Sequence, residues 1–136
     1  MRTIAALLIV VLSVATLWDL LEYFRGTGPL TDSGNAWMVH VVWVIALCIL
    51  MVVFGGRPGR WIGLCGVGFE SAMWLGSFLV PKAADGSVSP AFYDPMLMAV
   101  GILLPLAEAA LACAGIVVVI SMLLRGWHHR RAGTLE

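Results

Sequence analysis

Four long apolar runs dominate the chain, and short polar segments separate them. The runs cover about residues 4–24, 36–54, 61–80 and 96–124. A bilayer core of about 30 Å requires about 20 apolar helical residues to cross it. The runs do not alternate with a period of two residues, and backbone groups in lipid must be satisfied within the segment, which favours helices. The pattern therefore predicts an all-α polytopic membrane protein, a single domain of four transmembrane helices in an antiparallel bundle.

Turn-forming residues occupy the segments between the runs. The first two connections read GTGPLTDSGN and GGRPGR, and a longer one begins at Pro81. Asp94 and Pro95 favour a helix start before the fourth run, because Asp can cap free N–H groups and Pro has none to lose. We predict a basic tail over residues 125–136. We expect the first run to be a retained helix rather than a cleaved signal peptide.

Composition supports a membrane protein and excludes several other classes. The chain has 136 residues, of which 61% are hydrophobic and 12% charged, and its formal net charge is zero. This balance excludes an ordinary soluble enzyme and a disordered tail, and it provides no basic surface for nucleic acid. Cys48, Cys65 and Cys113 fall inside predicted helices without a C-x-x-C motif, so we interpret them as small packing residues. No metal site and no cofactor are predicted.

The positions of lysine and arginine predict the orientation of the bundle. Only Arg25 and Lys82 fall on one side, whereas six arginines fall on the other. We therefore expect both termini in the cytoplasm and the chain in the inner (plasma) membrane of the cell. The six arginines are Arg2, Arg57, Arg60, Arg125, Arg130 and Arg131.

Two glutamates inside the apolar runs are the strongest functional signal. A charged side chain at the bilayer centre costs about 2.5–3.5 kcal/mol on insertion scales, so such residues are functional candidates by default. Glu70 in the third run and Glu108 in the fourth lie at nearly the same predicted depth, close to the midplane. Two neighbouring carboxyl groups in a desolvated site can load and unload a proton. We therefore predict a proton or cation path through Glu70 and Glu108.

Small and aromatic residues surround the two glutamates at helical spacing. Gly66 and Trp74 share a face with Glu70, and Gly101 shares one with Glu108, so we predict helix contacts or a cavity there. Pro105 has no N–H to donate to the Gly101 carbonyl, which frees one acceptor a turn from Glu108.

A second polar pair is predicted near the outer side of the membrane. Asp19 in the first run and His40 in the second lie at similar heights, so they could form a hydrogen-bonded pair. The alternative is that both are boundary residues whose side chains reach the interface.

The order of these motifs resembles a known family. The chain has GGRPGR, then Gly68-Phe69-Glu70, then Ala107-Glu108-Ala109 and a basic tail. In this respect residues 39–131 resemble the small K-type membrane subunit of the respiratory NADH:quinone oxidoreductase and the small C-type subunit of multisubunit cation/proton antiporters. The resemblance implies that Glu70 and Glu108 belong to a hydrated proton path. The chain departs from the family in its additional first helix and in residues 71–74, where the family is rich in asparagine.

These observations favour a non-catalytic subunit of a larger membrane complex, with the bilayer and other membrane subunits as partners. The same residues would also suit a small intramembrane enzyme or binding protein for a hydrophobic, lipid-like substrate, with Glu70 and Glu108 as acid and base. A homo-oligomeric proton-coupled carrier and a structural or assembly scaffold are compatible with the pattern as well. We do not predict catalytic activity for the chain by itself, although the sequence leaves this open.

Overall fold

The computed structural model describes residues 2–32, 34–79, 85–87, 94–95 and 98–132. Within these ranges the chain is helical and contains no strand. The helices are α1 (Arg2–Phe24), α2 (Pro29–Asp32), α3 (Gly34–Phe54), α4 (Gly56–Leu79) and α5 (Leu104–Ala132), and a π-helical turn (Ala99–Leu103) leads into α5. The predicted all-α class is therefore confirmed, and the short helix α2 was not predicted.

Among the described residues, three helical stretches are long and apolar enough to cross a membrane: Thr3–Phe24, Asn35–Phe54 and Ala99–Trp127. These stretches correspond to the first, second and fourth apolar runs. Helix α4, with 24 residues, contains residues 61–79 of the third run. The structure thus supports a membrane protein with three candidate spans.

The junction between α3 and α4 is much shorter than predicted. Only Gly55 separates the two helices, so most of the GGRPGR segment is the first turn of α4. The Gly55 N–H donates to the Met51 carbonyl at 2.9 Å, and Gly56 has a φ of +68°, which glycine adopts without strain. Pro58 fits this turn because the first N–H groups of a helix have no partner within the helix.

The last helix extends beyond the C-terminal end of the fourth apolar run. Asp94 and Pro95 are helical, and α5 continues to Ala132, eight residues beyond the predicted end at Leu124. Much of the predicted polar tail is therefore helix. Residues 1, 33, 80–84, 88–93, 96–97 and 133–136 lie outside the described residues.

Consecutive long helices pack against each other, and α5 closes the bundle by packing on both α1 and α4. The hydrophobic core lies between α1, α3 and α5. It fills the half of the bundle that contains the start of α1 and the end of α3. Its buried members are Ala6, Ile9, Val44, Leu47, Cys48, Met51, Leu111, Ala112, Val118 and Val119.

One prediction about the cysteines is wrong. Cys48 is buried in the core as expected, but Cys65 and Cys113 are exposed on the outside of the helices. All three cysteines lie in apolar runs, so hydropathy alone could not separate the two exposed ones from Cys48.

Candidate functional site

Each long helix carries a histidine or a carboxyl side chain on or beside its buried face. His40 shares the face of α3 that also buries Val44 and Leu47, at spacings of four and seven residues. Glu108 lies on the buried face of α5, four residues after Leu104 and three before Leu111. These polar side chains therefore take the places of core residues, because the helices direct them into the bundle.

His40 joins two carboxyl groups from two other helices. Its Nδ1 atom lies 3.1 Å from Asp19 Oδ2, and its Nε2 atom lies 2.9 Å from Glu108 Oε2. The side chains of His40 and Glu108 are fully buried, whereas 17% of the Asp19 side chain is exposed. The ring thus forms a hydrogen-bonded bridge from α1 through α3 to α5.

Glu70 extends this bridge to α4. Its carboxyl group interacts with that of Glu108 within hydrogen-bonding reach, and the Trp74 indole lies beside it. Glu70 is 2% exposed and Glu108 is 1% exposed. Among the described residues no hydrogen-bond donor reaches Glu70 Oε2 or Glu108 Oε1. A proton shared between the two carboxyl groups would supply such a donor.

The four groups form a continuous series, Asp19–His40–Glu108–Glu70, which we call the relay. A neutral imidazole has one donor and one acceptor nitrogen, whereas the imidazolium has two donors. The ring can therefore donate to both carboxylates, or donate to one and accept from the other when that carboxyl is protonated. Both arrangements contain the same number of protons, so a proton can move between ring and carboxyl without a change of net charge.

Aromatic residues flank the ring of His40. The rings of Trp37 and His40 meet edge to face with centroids 5.7 Å apart, and those of Tyr23 and Trp37 do so at 5.3 Å. The Tyr23 hydroxyl donates to the Gly101 carbonyl at 3.1 Å. Pro105 is fully buried and cannot donate to this carbonyl, so Tyr23 supplies the hydrogen bond that proline omits.

Gly66 lies where α4 meets its neighbours. A Cβ at this position would lie 2.7 Å from Cys48 Sγ and 3.0 Å from a methyl carbon of Leu111. The absence of a side chain lets α4 approach α3 and α5, and this approach brings Glu70 to Glu108.

The sequence interpretation missed two hydroxyl groups on α1. Thr16 and Ser13 follow Asp19 at spacings of three residues toward the start of the helix, and both are fully buried. No hydrogen-bond partner for either hydroxyl occurs in the part of the chain that the structure describes. Buried polar groups of this kind are commonly satisfied by internal water. The signal was present, since Ile9, Ser13 and Thr16 have the same three- and four-residue spacing as the other buried positions of α1.

The structure connects two residue pairs that the sequence analysis treated separately. Glu70 and Glu108 were predicted at one depth without a fixed rotation of their helices, and Asp19 with His40 was a separate pair. Both pairs are in contact, and the contact of His40 with Glu108 makes them one series. This contact depends on how α3 and α5 are rotated, which apolar runs do not determine.

The described residues contain no group of three or more His, Cys, Asp or Glu side chains arranged to hold a metal ion. Comparison of the chain with family models, curated proteins and solved structures gave no match.

Proposed function

We propose that the chain is a four-span integral membrane protein in which the relay transfers protons, and that it acts as a non-catalytic subunit of a larger inner-membrane complex. The observation that carries this proposal is the position of His40, which is buried and hydrogen-bonded to a carboxyl group on each side. An isolated structural pair would need only one partner for the ring. A series of groups that both donate and accept is what proton transfer requires.

One end of the relay is partly exposed, and the other end borders an open groove. Asp19 is partly exposed near the end of α1, whereas Glu70 lines a lateral groove between α4 and α5. Thr16 and Ser13 extend the buried polar surface along α1 toward the opposite side of the bundle. Water at these two hydroxyls would connect Asp19 with that side.

Helix α4 completes the set of spans in this proposal. Its 24 residues extend about 36 Å, enough for the bilayer core. It presents exposed apolar side chains at both ends, with Trp61 at 64% and Leu79 at 73% exposure. Such side chains suit contact with lipid or with another subunit, and the arginines beside the α3–α4 junction favour a cytoplasmic position for it.

Proton flux into liposomes tests the role of the relay. The chain is purified in mild detergent together with any bound subunits and reconstituted around a pH-sensitive dye. We expect Glu70→Gln to reduce the flux by about tenfold or more, because an amide cannot take up and release the proton. Glu22→Gln is the matched control, since Glu22 lies on α1 outside the relay, and it should leave the flux unchanged.

The same preparation separates the proposal from a purely structural role. If the relay only holds the helices together, Glu70→Gln will lower the melting temperature and leave the flux per folded protein unchanged. That result, or wild-type flux no greater than that of empty liposomes, contradicts proton transfer. Purification without any further membrane protein contradicts the assignment as a subunit.

A further inference from the structure

Two buried hydroxyl groups on α1 belong to neither the apolar core nor the relay. Ser13 and Thr16 are fully buried, and no hydrogen-bond partner for either hydroxyl occurs among the described residues. A buried hydroxyl without a partner destabilises a fold, so native structures rarely leave one unpaired. These two groups therefore require a partner that the described part of the chain does not supply.

A hydroxyl in a helix can bond to the carbonyl four residues earlier, and this chain contains an example. The Ser121 hydroxyl donates to the Val117 carbonyl at 2.9 Å. Ser13 and Thr16 do not form this bond. The Ser13 hydroxyl instead faces α5, since a Cβ on Gly115 would lie 2.6 Å from Ser13 Oγ. Bonding within α1 therefore does not satisfy these two groups.

The interface of α1 with α5 brings small residues opposite the hydroxyls. Ser13 lies against Gly115, whereas Tyr23 near the end of α1 bonds to a carbonyl of the π-helical turn before α5. The two helices are therefore antiparallel. Thr16 is one turn further along α1 and lies near the level of Ala112, which is fully buried and precedes Gly115 by three residues. Alanine and glycine leave space beside the hydroxyls that larger side chains would fill.

The apolar core begins directly beside Ser13. A Cβ on Gly115 would also lie 3.4 Å from a methyl carbon of Leu47 and 3.5 Å from one of Ile9. Both of these side chains are fully buried. In the other direction, Thr16 precedes the relay residue of α1 by three positions. The two hydroxyls therefore lie between the relay and the core.

Water is the occupant that this place fits. A water molecule both donates and accepts hydrogen bonds, and buried waters typically make about three of them to polar groups that otherwise lack partners. A metal cation would need several more oxygen ligands than two hydroxyls provide. An apolar molecule would leave both hydroxyls unpaired.

We propose that the interface of α1 with α5 contains an internal water site held by the hydroxyls of Ser13 and Thr16. The role of this water rests on the proposed function: it extends the relay along α1 as far as the apolar core, and protons reach it from the relay. The presence of the water depends only on the two hydroxyls and the space beside them.

Radical footprinting of the full chain tests the site. Short X-ray pulses generate hydroxyl radicals from water where it is bound, and mass spectrometry locates the oxidised side chains. Leu47 is fully buried, so its oxidation requires water inside the bundle. We expect Leu47 to be oxidised in the wild type and to lose this oxidation in the double variant Ser13→Ala, Thr16→Val. Val118, which packs on the α3–α4 junction, is the internal control and should react equally in both proteins.

Single variants at Thr16 separate a hydrated hydroxyl from a dry one. Thr16→Val keeps the shape of the side chain. If the hydroxyl were dry and unpaired, its replacement by a methyl group would raise the melting temperature, whereas the loss of a bond to water lowers it. We expect a lower melting temperature for Thr16→Val. Thr16→Ser retains the hydroxyl and should retain the oxidation of Leu47, and Ser121→Ala is the control at an exposed hydroxyl.

The outcomes distinguish the water site from the proposed function. A wild type without oxidised Leu47, undiminished oxidation in the double variant, or a higher melting temperature for Thr16→Val would overturn the site. We expect the double variant to reduce proton flux into liposomes several-fold, and unchanged flux would overturn the role of the water. Absence of flux in the wild type, together with hydroxyl-dependent oxidation of Leu47, would contradict the proposed function and leave the water site intact.

Discussion

At the residue scale, His40 determines whether the polar groups form one site or two. The ring is fully buried and connects Asp19 with Glu108, so its loss would leave two carboxyl groups without a shared partner. Breaking a buried ion pair by removing one member typically costs about 3–5 kcal/mol, because the remaining charge stays buried. The site is therefore sensitive both to the shape of each side chain and to its ability to carry a proton.

Two substitutions separate these properties. Glu108→Gln keeps the shape and can still hydrogen-bond to His40, so we expect stability near that of the wild type with proton flux reduced by about tenfold or more. His40→Leu removes both hydrogen bonds and should lower the free energy of unfolding by about 3–5 kcal/mol. Denaturation in mixed micelles and dye-based flux in liposomes measure the two effects. Wild-type flux in Glu108→Gln would contradict a role for the carboxyl group.

Tyr23 provides a second residue-scale prediction. Its hydroxyl supplies the hydrogen bond that Pro105 cannot give to the Gly101 carbonyl. Tyr23→Phe should therefore lower the free energy of unfolding by about 0.5–1.5 kcal/mol, the usual net value of a hydrogen bond. Thr27→Val removes an exposed hydroxyl from a bond to the Glu22 carbonyl and serves as a control with a smaller expected effect. Equal losses of the free energy of unfolding in Tyr23→Phe and Thr27→Val would show that burial of the Tyr23 hydrogen bond is unimportant.

At the element scale, the helices place their polar residues by register. The buried positions of α5 follow three- and four-residue steps from Leu104 through Glu108 to Leu111 and beyond. The sequence predicted the helices and the shared face of Glu108 with small residues, because both depend on local spacing. It could not predict the contact of His40 with Glu108, since that contact depends on the relative rotation of two helices. It also missed that α4 begins within GGRPGR. Glycine and proline suggested a turn over the whole segment, although the single residue Gly55 is enough to connect α3 with α4.

Close approach of α1 and α5 gives a prediction at this scale. A Cβ on Gly115 would lie 2.6 Å from Ser13 Oγ, so Gly115→Ala should push the two helices apart. We expect a loss of about 1–3 kcal/mol in the free energy of unfolding, as for other overpacked interfaces. Ser13→Ala removes the clashing oxygen, and the double variant should regain most of the loss.

The control for this prediction lies on the same helix. Gly126 has no atom within 4 Å of its ideal Cβ, so Gly126→Ala should leave stability unchanged or raise it by up to about 1 kcal/mol. Equal losses in Gly115→Ala and Gly126→Ala would mean that helix contact at Ser13 is not the cause. Failure of Ser13→Ala to rescue Gly115→Ala would lead to the same conclusion.

At the scale of the whole molecule, apolar packing and polar chemistry occupy different parts of the bundle. The core fills the half that contains the start of α1 and the end of α3, whereas the relay crosses all four long helices above it. The apolar half can hold the helices together while the relay changes its protons. This division serves proton transfer only if all four long helices lie in the membrane. The proposed function therefore depends on whether α4 crosses the membrane.

Thiol accessibility in intact cells tests that topology. In a chain whose three native cysteines are replaced by alanine, Ser87→Cys places a thiol between α4 and α5, Arg57→Cys places one at the start of α4, and Trp127→Cys places one near the end of α5. The excess of arginine beside the last two sites predicts that they face the cytoplasm. We expect a membrane-impermeant maleimide to label Ser87→Cys in intact cells and to label the other two only after permeabilisation. Labelling of both Ser87→Cys and Arg57→Cys in intact cells would show that α4 does not cross the membrane, and Glu70 would then lie outside the bilayer path that the relay requires.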